Sequence, residues 1–374
     1  MRRSCLAFAL LAATPCFAHA QWEMQDPHIT ADLRGIDYIG NGVAWASGTN
    51  GTILRTEDMG FVWQLCVIPP GAKKLDFRGI QAFSNNTAVV MSSGKGELSR
   101  LFKTTDGCQT WKEVFVDPDE TGFFDSLHRA TAKQLFVLGD PVNGKFTMFT
   151  SRDAGDTWFI EDDPGLEAPA GAGAFAASNS SLINIGPYLT FGTGGPQAAV
   201  YRIEPNCDAK TGSCSMAWKA AETPIAHGRA EDGVYSVAGR FVTSMSGKSS
   251  SILVAVGGAY DKPAETNATA AYSQDGGITW TAAQTPPGGY RSAVAYDPAT
   301  ATWVTVGPNG TDLSKNDGKT WTPLPPGAAS AAGTLENSSP WNSLSLPFVV
   351  GPKGRIAILT PFEHKSSAAQ KAKQ

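Results

Sequence analysis

Short runs of apolar, β-branched and aromatic residues recur along the chain, and polar turns rich in glycine separate them. Residues 51–56 (GTILRT) and 145–150 (KFTMFT) are examples, and their length and composition are typical of β-strands. The chain contains 40 Gly and 24 Pro among its 374 residues, which indicates many tight turns. The pattern therefore predicts an all-β protein built from short strands.

Five of the polar turns share one eight-residue frame, Ser/Thr-x-Asp-x-Gly-x-Thr-Trp, which we term the box. The copies are residues 56–63 (TEDMGFVW), 104–111 (TTDGCQTW), 151–158 (SRDAGDTW), 273–280 (SQDGGITW) and 314–321 (SKNDGKTW). Because each follows a strand-like run, we expect the box to be a hairpin turn between two strands. Its acidic residue accepts hydrogen bonds from turn amides, its glycine tolerates a positive φ, and its tryptophan packs between neighbouring repeats.

The residues with this architectural role are Asp58, Asp106, Asp153, Asp275 and Asn316 for hydrogen bonding, and Trp63, Trp111, Trp158, Trp280 and Trp321 for packing. Two positions depart from the frame, since Cys108 stands where Gly is expected and Asn316 where Asp is expected. We expect both departures to weaken the turn without abolishing it.

Two further tryptophans, Trp22 and Trp218, extend the series to seven, with spacings of 41 to 62 residues. Such spacings suit a four-stranded repeat with loops of variable length. We therefore predict a seven-bladed β-propeller of four-stranded antiparallel blades. No box follows Trp321, so we expect the strand around Trp22 to supply the outer strand of the last blade and to close the ring.

The boxes resemble Asp-box (BNR) repeats, which are found in sialidase-like propellers and in the photosystem II stability/assembly factor family. The resemblance covers nearly the whole chain after its first twenty residues. It implies either a propeller that docks a partner polypeptide or an acidic ligand during assembly of a larger complex, or a sialidase-like glycoside hydrolase acting on an acidic sugar. Fold alone does not decide between these functions.

A second frame marks the innermost strand of each blade. It occurs at residues 33–36 (LRGI), 77–80 (FRGI), 124–127 (FDSL), 234–237 (VYSV), 290–293 (YRSA) and 341–344 (WNSL), and we predict residues 173–176 (GAFA) as its counterpart in blade four. The third position is small in the six clear copies, and the second holds Arg34, Arg78, Asp125, Tyr235, Arg291 and Asn342. Because innermost strands line the channel of a propeller, these second-position residues should form a polar ring.

This ring has two interpretations. In the first, each arginine pairs with a nearby acidic group or backbone carbonyl and only seals the channel. In the second, a carboxylate binds to an arc of neighbouring residues, Arg34, Arg78, Arg291 and Asn342. The sequence leaves these two interpretations of the ring open. Between a binding module and a hydrolase, we favour the binding module. Sialidases have six blades and an Arg-Ile-Pro motif near the start, and this chain shows neither. If the protein is nevertheless an enzyme, Asp125 and Tyr235 are the catalytic candidates.

Three further residues lie in predicted loops and are secondary site candidates: His128, Asp140 and Tyr260. The segment 138–144 (LGDPVNG) contains Asp140 and has ordinary turn chemistry, which offers a bland alternative. Glycine clusters at residues 191–195 and 257–258 lack the strand-then-helix context of a phosphate site, so we interpret them as loops.

The cysteines and histidines indicate disulfides rather than a metal site. Cys207 and Cys214 flank a polar loop, which favours a disulfide between them in an exported protein, whereas the pairing of Cys66 with Cys108 stays open. The 5 His residues form no metal-ligand pattern, and we expect neither a metal nor another cofactor. The absence of a basic cluster before the last ten residues argues against nucleic acid.

The N-terminal twenty residues have the layout of a secretory signal peptide. Arg2 and Arg3 precede an apolar run, and residues 18–20 (AHA) form a cleavage site after Ala20. Removing the two arginines changes the formal net charge from −4 to −6. We expect no membrane span and a monomeric periplasmic or secreted protein, with a propeller at residues 21–362 and a disordered polar tail at 363–374.

Overall fold

The computed structural model describes residues 21–186, 188–207, 213–243, 249–324 and 340–360. The predicted signal peptide and the predicted tail lie outside these residues. The described chain forms 28 β-strands and two short 3-10 turns, Gly96–Leu98 and Asn179–Ser181. No helix in this part of the chain is long and apolar enough to cross a membrane.

The strands fall into seven sets of four, which are the blades. Blade one comprises β2 Leu33–Gly40, β3 Val43–Gly48, β4 Ile53–Thr56 and β5 Gln64–Leu65; blade two β6 Phe77–Ala82, β7 Ala88–Ser92, β8 Arg100–Thr104 and β9 Lys112–Val116; blade three β10 Phe124–Arg129, β11 Leu135–Val142, β12 Lys145–Ser151 and β13 Phe159–Ile160; blade four β14 Leu182–Ile185, β15 Tyr188–Gly195, β16 Ala199–Cys207 and β17 Cys214–Glu222; blade five β18 Arg229–Thr243, β19 Ser249–Ala259, β20 Ala270–Ser273 and β21 Thr281–Ala282; blade six β22 Ala293–Asp297, β23 Thr302–Gly307, β24 Gly310–Ser314 and β25 Thr322–Pro323; blade seven β26 Ser343–Ser345, β27 Phe348–Val350, β28 Ile356–Thr360 and β1 Gln21–Gln25.

Every blade is an antiparallel meander from its innermost strand outward, except that blade seven takes its outer strand from the N-terminus. There β1 pairs with β28, with Trp22 opposite Leu359. Blades four and five are also joined through β15 and β18, where Gly194 lies opposite Gly233. The predicted seven-bladed propeller and its closure by the N-terminal strand are confirmed.

Seven hydrophobic clusters fill the seven gaps between adjacent blades, and each contains one tryptophan of the series. The tryptophans are Trp111, Trp22, Trp218, Trp63, Trp158, Trp280 and Trp321. A buried indole removes a large apolar area from water, so one such ring per gap is a main source of cohesion between blades. The period seen in the sequence is therefore the period of the blade interfaces.

The third box shows how the turn is held. Asp153 Oδ1 accepts hydrogen bonds from the Ser151 hydroxyl at 2.8 Å and the Thr157 amide at 2.9 Å, while Oδ2 accepts the Thr157 hydroxyl at 2.5 Å. Ala154 and Gly155 have φ of 63° and 90°. Hydrogen bonds lower the pKa of Asp153 to about 2, and the one from the Thr157 hydroxyl has the largest effect. The carboxylate thus organises the turn.

The two departures from the box keep this geometry. Asn316 accepts the Thr320 amide through Oδ1 at 3.0 Å and donates to the Thr320 hydroxyl through Nδ2 at 2.9 Å. Cys108 takes the place of glycine with φ of 66°. It forms a disulfide with Cys66 across a Cα–Cα distance of 5.4 Å, which ties blade one to blade two.

A second disulfide closes the β16–β17 hairpin of blade four. Cys207 and Cys214 lie opposite each other in the ladder, and their Cα atoms are 4.0 Å apart. This is the disulfide that the polar sequence between the two cysteines predicts.

Candidate functional site

In four blades the innermost strand carries a β-bulge at the second position of its frame. The bulged residues are Arg34, Arg78, Asp125 and Tyr235. A bulge leaves one residue out of the ladder and redirects its side chain. Because all innermost strands run the same way along the channel, these side chains lie at the end where the strands begin, which we term the upper face. The opposite end is the lower face.

The prediction for blade four was wrong. Its innermost strand is β14 Leu182–Ile185, whereas Gly173 makes only an isolated bridge with Gly194 of β15. Residues 174–181 leave the blade, and we term them the channel segment. Ser181 and Leu182 repeat the Ser-Leu pair that ends the frame in blades three and seven. That pair is the sequence signal that the prediction missed.

The channel segment lies across the axis of the propeller and contacts four blades. Asn179 Nδ2 donates to the Ile80 carbonyl in blade two at 2.6 Å, and Ser126 of blade three donates to the Asn179 carbonyl at 3.0 Å. The Ser178 hydroxyl donates to Ser292 O of blade six at 3.0 Å. Ser180 and Ser236 of blade five share a 2.7 Å hydrogen bond. The segment therefore divides the channel into an upper and a lower part.

The small third position of the inner-strand frame follows from this crowding. A Cβ on Gly79 would lie 3.0 Å from Asn179 Oδ1 and 3.1 Å from Met91 Cε. A Cβ on Gly35 would lie 2.6 Å from the Ser47 hydroxyl and 3.2 Å from the Arg78 carbonyl. Larger side chains at these positions would displace the channel segment or separate the blades.

Of the three arginines at the second position of the frame, Arg34 and Arg78 keep the predicted place in the arc. Arg78 Nε lies 2.8 Å from Asp76 Oδ2, and its Nη1 donates to Ala176 O of the channel segment at 3.3 Å. Arg34 forms no ion pair with any residue that the structure describes, and its buried Nε has no hydrogen-bond partner there. Arg34 therefore presents a positive charge that no described carboxylate neutralises.

Arg291 does not belong to this arc, so the predicted four-residue arc needs correction. Its side chain is 2 % exposed, and it forms a buried ion pair with Asp312, which is 1 % exposed. Nε donates to Asp312 Oδ2 at 2.9 Å, and Nη1 donates to the Asn309 side chain and to Tyr290 O. Because these contacts occupy the guanidinium, Arg291 takes the local, structural role that was the alternative interpretation.

Asn342 also acts within the fold. Its Nδ2 donates to the Leu33 carbonyl at 2.7 Å, which joins blade seven to blade one. The amide is therefore part of the contact between blades seven and one, and its hydrogen bond goes to a backbone carbonyl rather than to a ligand.

Aromatic rings form the floor of the upper face beside Arg34. Tyr235 stacks on Phe175 of the channel segment with centroids 3.8 Å apart, and it meets Tyr290 edge-on at 4.7 Å. Tyr260 lies 6.3 Å from Tyr235 and is 53 % exposed. Burial raises the pKa of Tyr290, and the nearby Arg34 charge opposes that rise. The charge of Arg34 therefore lies next to an aromatic surface.

Asp125 and Asp140 form an acidic pair in blade three, also towards the upper face. Burial and, secondly, the charge of Asp140 raise the pKa of Asp125 well above 3.8, while the Arg78 charge opposes this. Asp140 Oδ1 accepts the Ala174 amide at 3.0 Å, and burial raises its pKa too. Asp125 Oδ2 is buried without a hydrogen-bond partner among the described residues. Burial therefore favours the protonated form of each of the two carboxyl groups.

The secondary candidates do not form one site. His128 lies in β10 opposite Phe136, near the lower face, where its Nε2 is 2.9 Å from Asn184 Oδ1. Asp140 lies in β11 beside a bulge at the upper end of the same blade rather than in a loop. Tyr260 follows β19 in a turn. Of the three, Asp140 and Tyr260 adjoin the upper face.

The two catalytic candidates, Tyr235 and Asp125, do not have the properties that a sialidase-like hydrolase requires of them. The Tyr235 hydroxyl donates to the Glu231 carbonyl at 2.9 Å, and burial raises its pKa, whereas a nucleophilic tyrosine needs a lowered one. Asp125 is 2 % exposed, so a glycosidic oxygen has no direct access to it. Among the described residues no cluster of three His, Cys, Asp or Glu side chains has metal-binding geometry.

Comparison with known proteins identifies the fold. No family model and no curated protein matches the chain. A structure of YCF48 bound to D1 peptide is similar with a TM-score of 0.58 and 17% identity, over 91% of this chain and 97% of that chain. YCF48 from Cyanidioschyzon merolae is similar with a TM-score of 0.52 and 14% identity, over 91% and 99%. The chain is a β-propeller. At these identities the likeness shows the fold alone.

Proposed function

We propose that this protein is a partner-binding propeller and that its upper face binds a carboxylate-bearing segment of a partner polypeptide. The observation that carries the proposal is the unpaired Arg34 beside the partly paired Arg78, at the same end of the channel. Guanidinium groups recognise carboxylates with two parallel hydrogen bonds. The rings of Phe175 and Tyr260, which pack on the buried Tyr235, offer apolar contact next to that charge.

The comparisons support a binding role for this fold. One similar structure is that of a propeller, YCF48, bound to a peptide. The resemblance of the boxes to Asp-box repeats supports the same role, and in the third box the Asp153 carboxylate accepts the hydroxyls of Ser151 and Thr157. Together with the signal-like N-terminus, these features favour an exported assembly factor that docks a partner, and they favour a protein without enzymatic activity.

The test of the binding role compares two sets of variants in capture of partners from periplasmic extract. Arg34→Gln together with Arg78→Gln should weaken binding of the specific partner at least tenfold, because two charge-assisted contacts are lost, each worth about 1.5–3 kcal/mol. Arg152→Gln is the control, since Arg152 is 71 % exposed and lies on the outer side of blade three. The affinity of each variant is then measured for an acidic peptide of that partner, with its carboxylates and again with them amidated.

Two results would contradict the proposal. One is equal affinity of the double variant and the Arg152→Gln control for the acidic peptide, with both proteins folded by circular dichroism. The other is turnover of a fluorogenic sialoside or another glycoside that Asp125→Ala abolishes, since this would restore the hydrolase alternative.

A further inference from the structure

A cavity of about 890 Å³ opens on the lower face, on the far side of the channel segment from the arginines. It is formed where the innermost strands of blades four to seven end, with contributions from His128 of blade three and Leu359 of blade seven. Its volume is within the range of small-molecule sites in proteins, roughly 300–1,000 Å³. No part of the proposed upper-face site contributes to it.

The inner end of the cavity is closed by the channel segment. Ser180 lines the cavity, and its hydrogen bond to Ser236 holds it in place. The neighbouring Ser178 is bonded to Ser292 O. Without this segment the space would be one end of an open channel, whereas with it the space is a cup with a fixed floor.

The walls of the cup are mainly aliphatic, in contrast to the charged upper face. The apolar residues that line it are Ile183, Ile185, Val294, Leu344, Leu346 and Leu359. Two aromatic rings, Phe241 and Tyr296, stand at the side. Phe241 is 58 % exposed, and its ring covers Gly186 closely enough to contact a Cβ placed there. An exposed phenylalanine beside an aliphatic cup is typical of a ligand site rather than of a core.

Two charged groups lie at the cup, and both have partners within the protein. Arg240 forms two hydrogen bonds with Asp317, at 2.7 and 2.9 Å, and its guanidinium lies 5.5 Å from the centre of the Tyr296 ring. The Asp297 carboxylate accepts the Ala299 amide and the Thr300 hydroxyl. The ion pair with Asp317 leaves Arg240 with no free charge to attract an anionic ligand. The mainly aliphatic lining in turn favours an uncharged ligand.

His128 and Asn184 supply the polar end of the cup. Burial lowers the pKa of His128 to about 4, so the imidazole is neutral near pH 7. Its Nε2 is engaged with Asn184 Oδ1 at 2.9 Å. A neutral imidazole next to an amide can hydrogen-bond one polar group of a ligand without requiring that group to be charged.

We propose that the lower-face cavity is a second binding site, which takes an uncharged and mainly apolar small molecule with one hydrogen-bonding group directed to His128 and Asn184. The site is independent of the upper face, since the channel segment separates the two. The protein would thus bind a polypeptide at one end of its channel and a small apolar compound at the other.

The probe for this site is N-phenyl-1-naphthylamine, which is neutral, apolar and has one N–H group, and whose fluorescence rises on leaving water. The wild-type protein should bind it saturably at one site. Ala295→Trp, which fills the cup, and Phe241→Ser, which removes the ring at its side, should each weaken binding at least tenfold. Phe61→Ser is the matched control, because Phe61 is 89 % exposed on blade one and does not line the cavity.

The outcomes separate the proposal from its alternatives. It is overturned if the signal does not saturate, if Phe61→Ser weakens binding as much as Phe241→Ser, or if Ala295→Trp binds normally with a wild-type melting curve. Should Ala295→Trp fail to fold, Phe241→Ser alone decides, since that side chain is exposed. The Arg34→Gln, Arg78→Gln variant should bind the probe normally, so the two proposals can fail separately.

Discussion

Two arginines at the same position of the inner-strand frame differ in their ion pairing, because different residues surround them. Arg291 is buried and paired with Asp312, whereas Arg34 forms no ion pair with the described residues. Asp312 lies 21 residues further along the chain, in β24. The frame predicts where an arginine lies. Whether its guanidinium is free to bind a ligand depends on a carboxylate partner that only the fold brings near.

Asp125 provides a prediction at the level of one residue. Because its pKa in the folded protein is raised, the folded state keeps a proton that the unfolded chain loses above about 3.8. The free energy of unfolding should therefore fall as the pH rises from about 3.8 to the raised pKa of the folded protein. Asp125→Asn should remove this loss. We expect the variant to gain free energy of unfolding over the wild type at pH 7 and to gain little at pH 4, measured by urea denaturation.

Asp153→Asn is the control of opposite sign. The pKa of Asp153 is lowered to about 2 by its hydrogen bonds, so its contribution is present above the unfolded pKa and is lost on acidification. Its replacement should cost more at pH 7 than at pH 3. If the effect of Asp125→Asn on the free energy of unfolding does not vary with pH, this carboxyl is not held protonated.

At the level of elements, the five boxes are copies of one turn, so their hydrogen bonds can be compared within the same protein. Thr110, Thr157 and Thr279 donate their hydroxyls to the second carboxylate oxygen of the box, at 2.5 to 2.6 Å. In the first box this position is Val62, which is 66 % exposed and contributes only its amide to Asp58. The first box therefore lacks one hydrogen bond of the set.

A reciprocal exchange tests the value of that hydrogen bond. Val62→Thr should stabilise the protein and Thr157→Val should destabilise it, each by about 0.5–1 kcal/mol, since the bond is at the surface. Urea denaturation of both variants measures the changes. Equal signs for the two substitutions would mean that the hydroxyl does not act through the carboxylate.

The channel segment shows what sequence patterning of elements misses. Residues 174–181 (AFAASNSS) are mostly small and show no strand periodicity, and innermost strands are the elements that usually line a propeller channel. The segment is ordered by hydrogen bonds to four other blades. Contacts of this kind have no local signature, because every partner is distant in sequence.

For the whole molecule, the decisive feature is that the seven blade interfaces form a closed ring. The last gap closes only when β1 pairs with β28, and there the Trp22 ring lies 5.9 Å from that of Trp341. Trp22 Nε1 also donates to the Thr311 hydroxyl in blade six at 2.9 Å. One short N-terminal strand therefore completes blade seven and its interface.

Trp22→Ala tests this closure. The side chain is 3% exposed, so its removal should cost about 3–5 kcal/mol, which is the usual range for a buried aromatic residue. The measurement is the free energy of unfolding from urea denaturation. Phe61→Ala, at an 89 % exposed position, should leave stability unchanged. A cost as small as that of Phe61→Ala would mean that the ring does not depend on its N-terminal strand.

The sequence alone determined the repeat, the number of blades and the closure, because box, tryptophan and strand length are local and recur with one period. It also placed Arg34, Arg78, Asp125 and Tyr235 at one end of the channel, since equivalent positions of equivalent strands must meet. Tertiary structure decided which of these groups are free, that Cys66 bonds Cys108, and that the chain's own residues divide the channel. These depend on contacts between distant residues, and a periodic pattern carries no information about them.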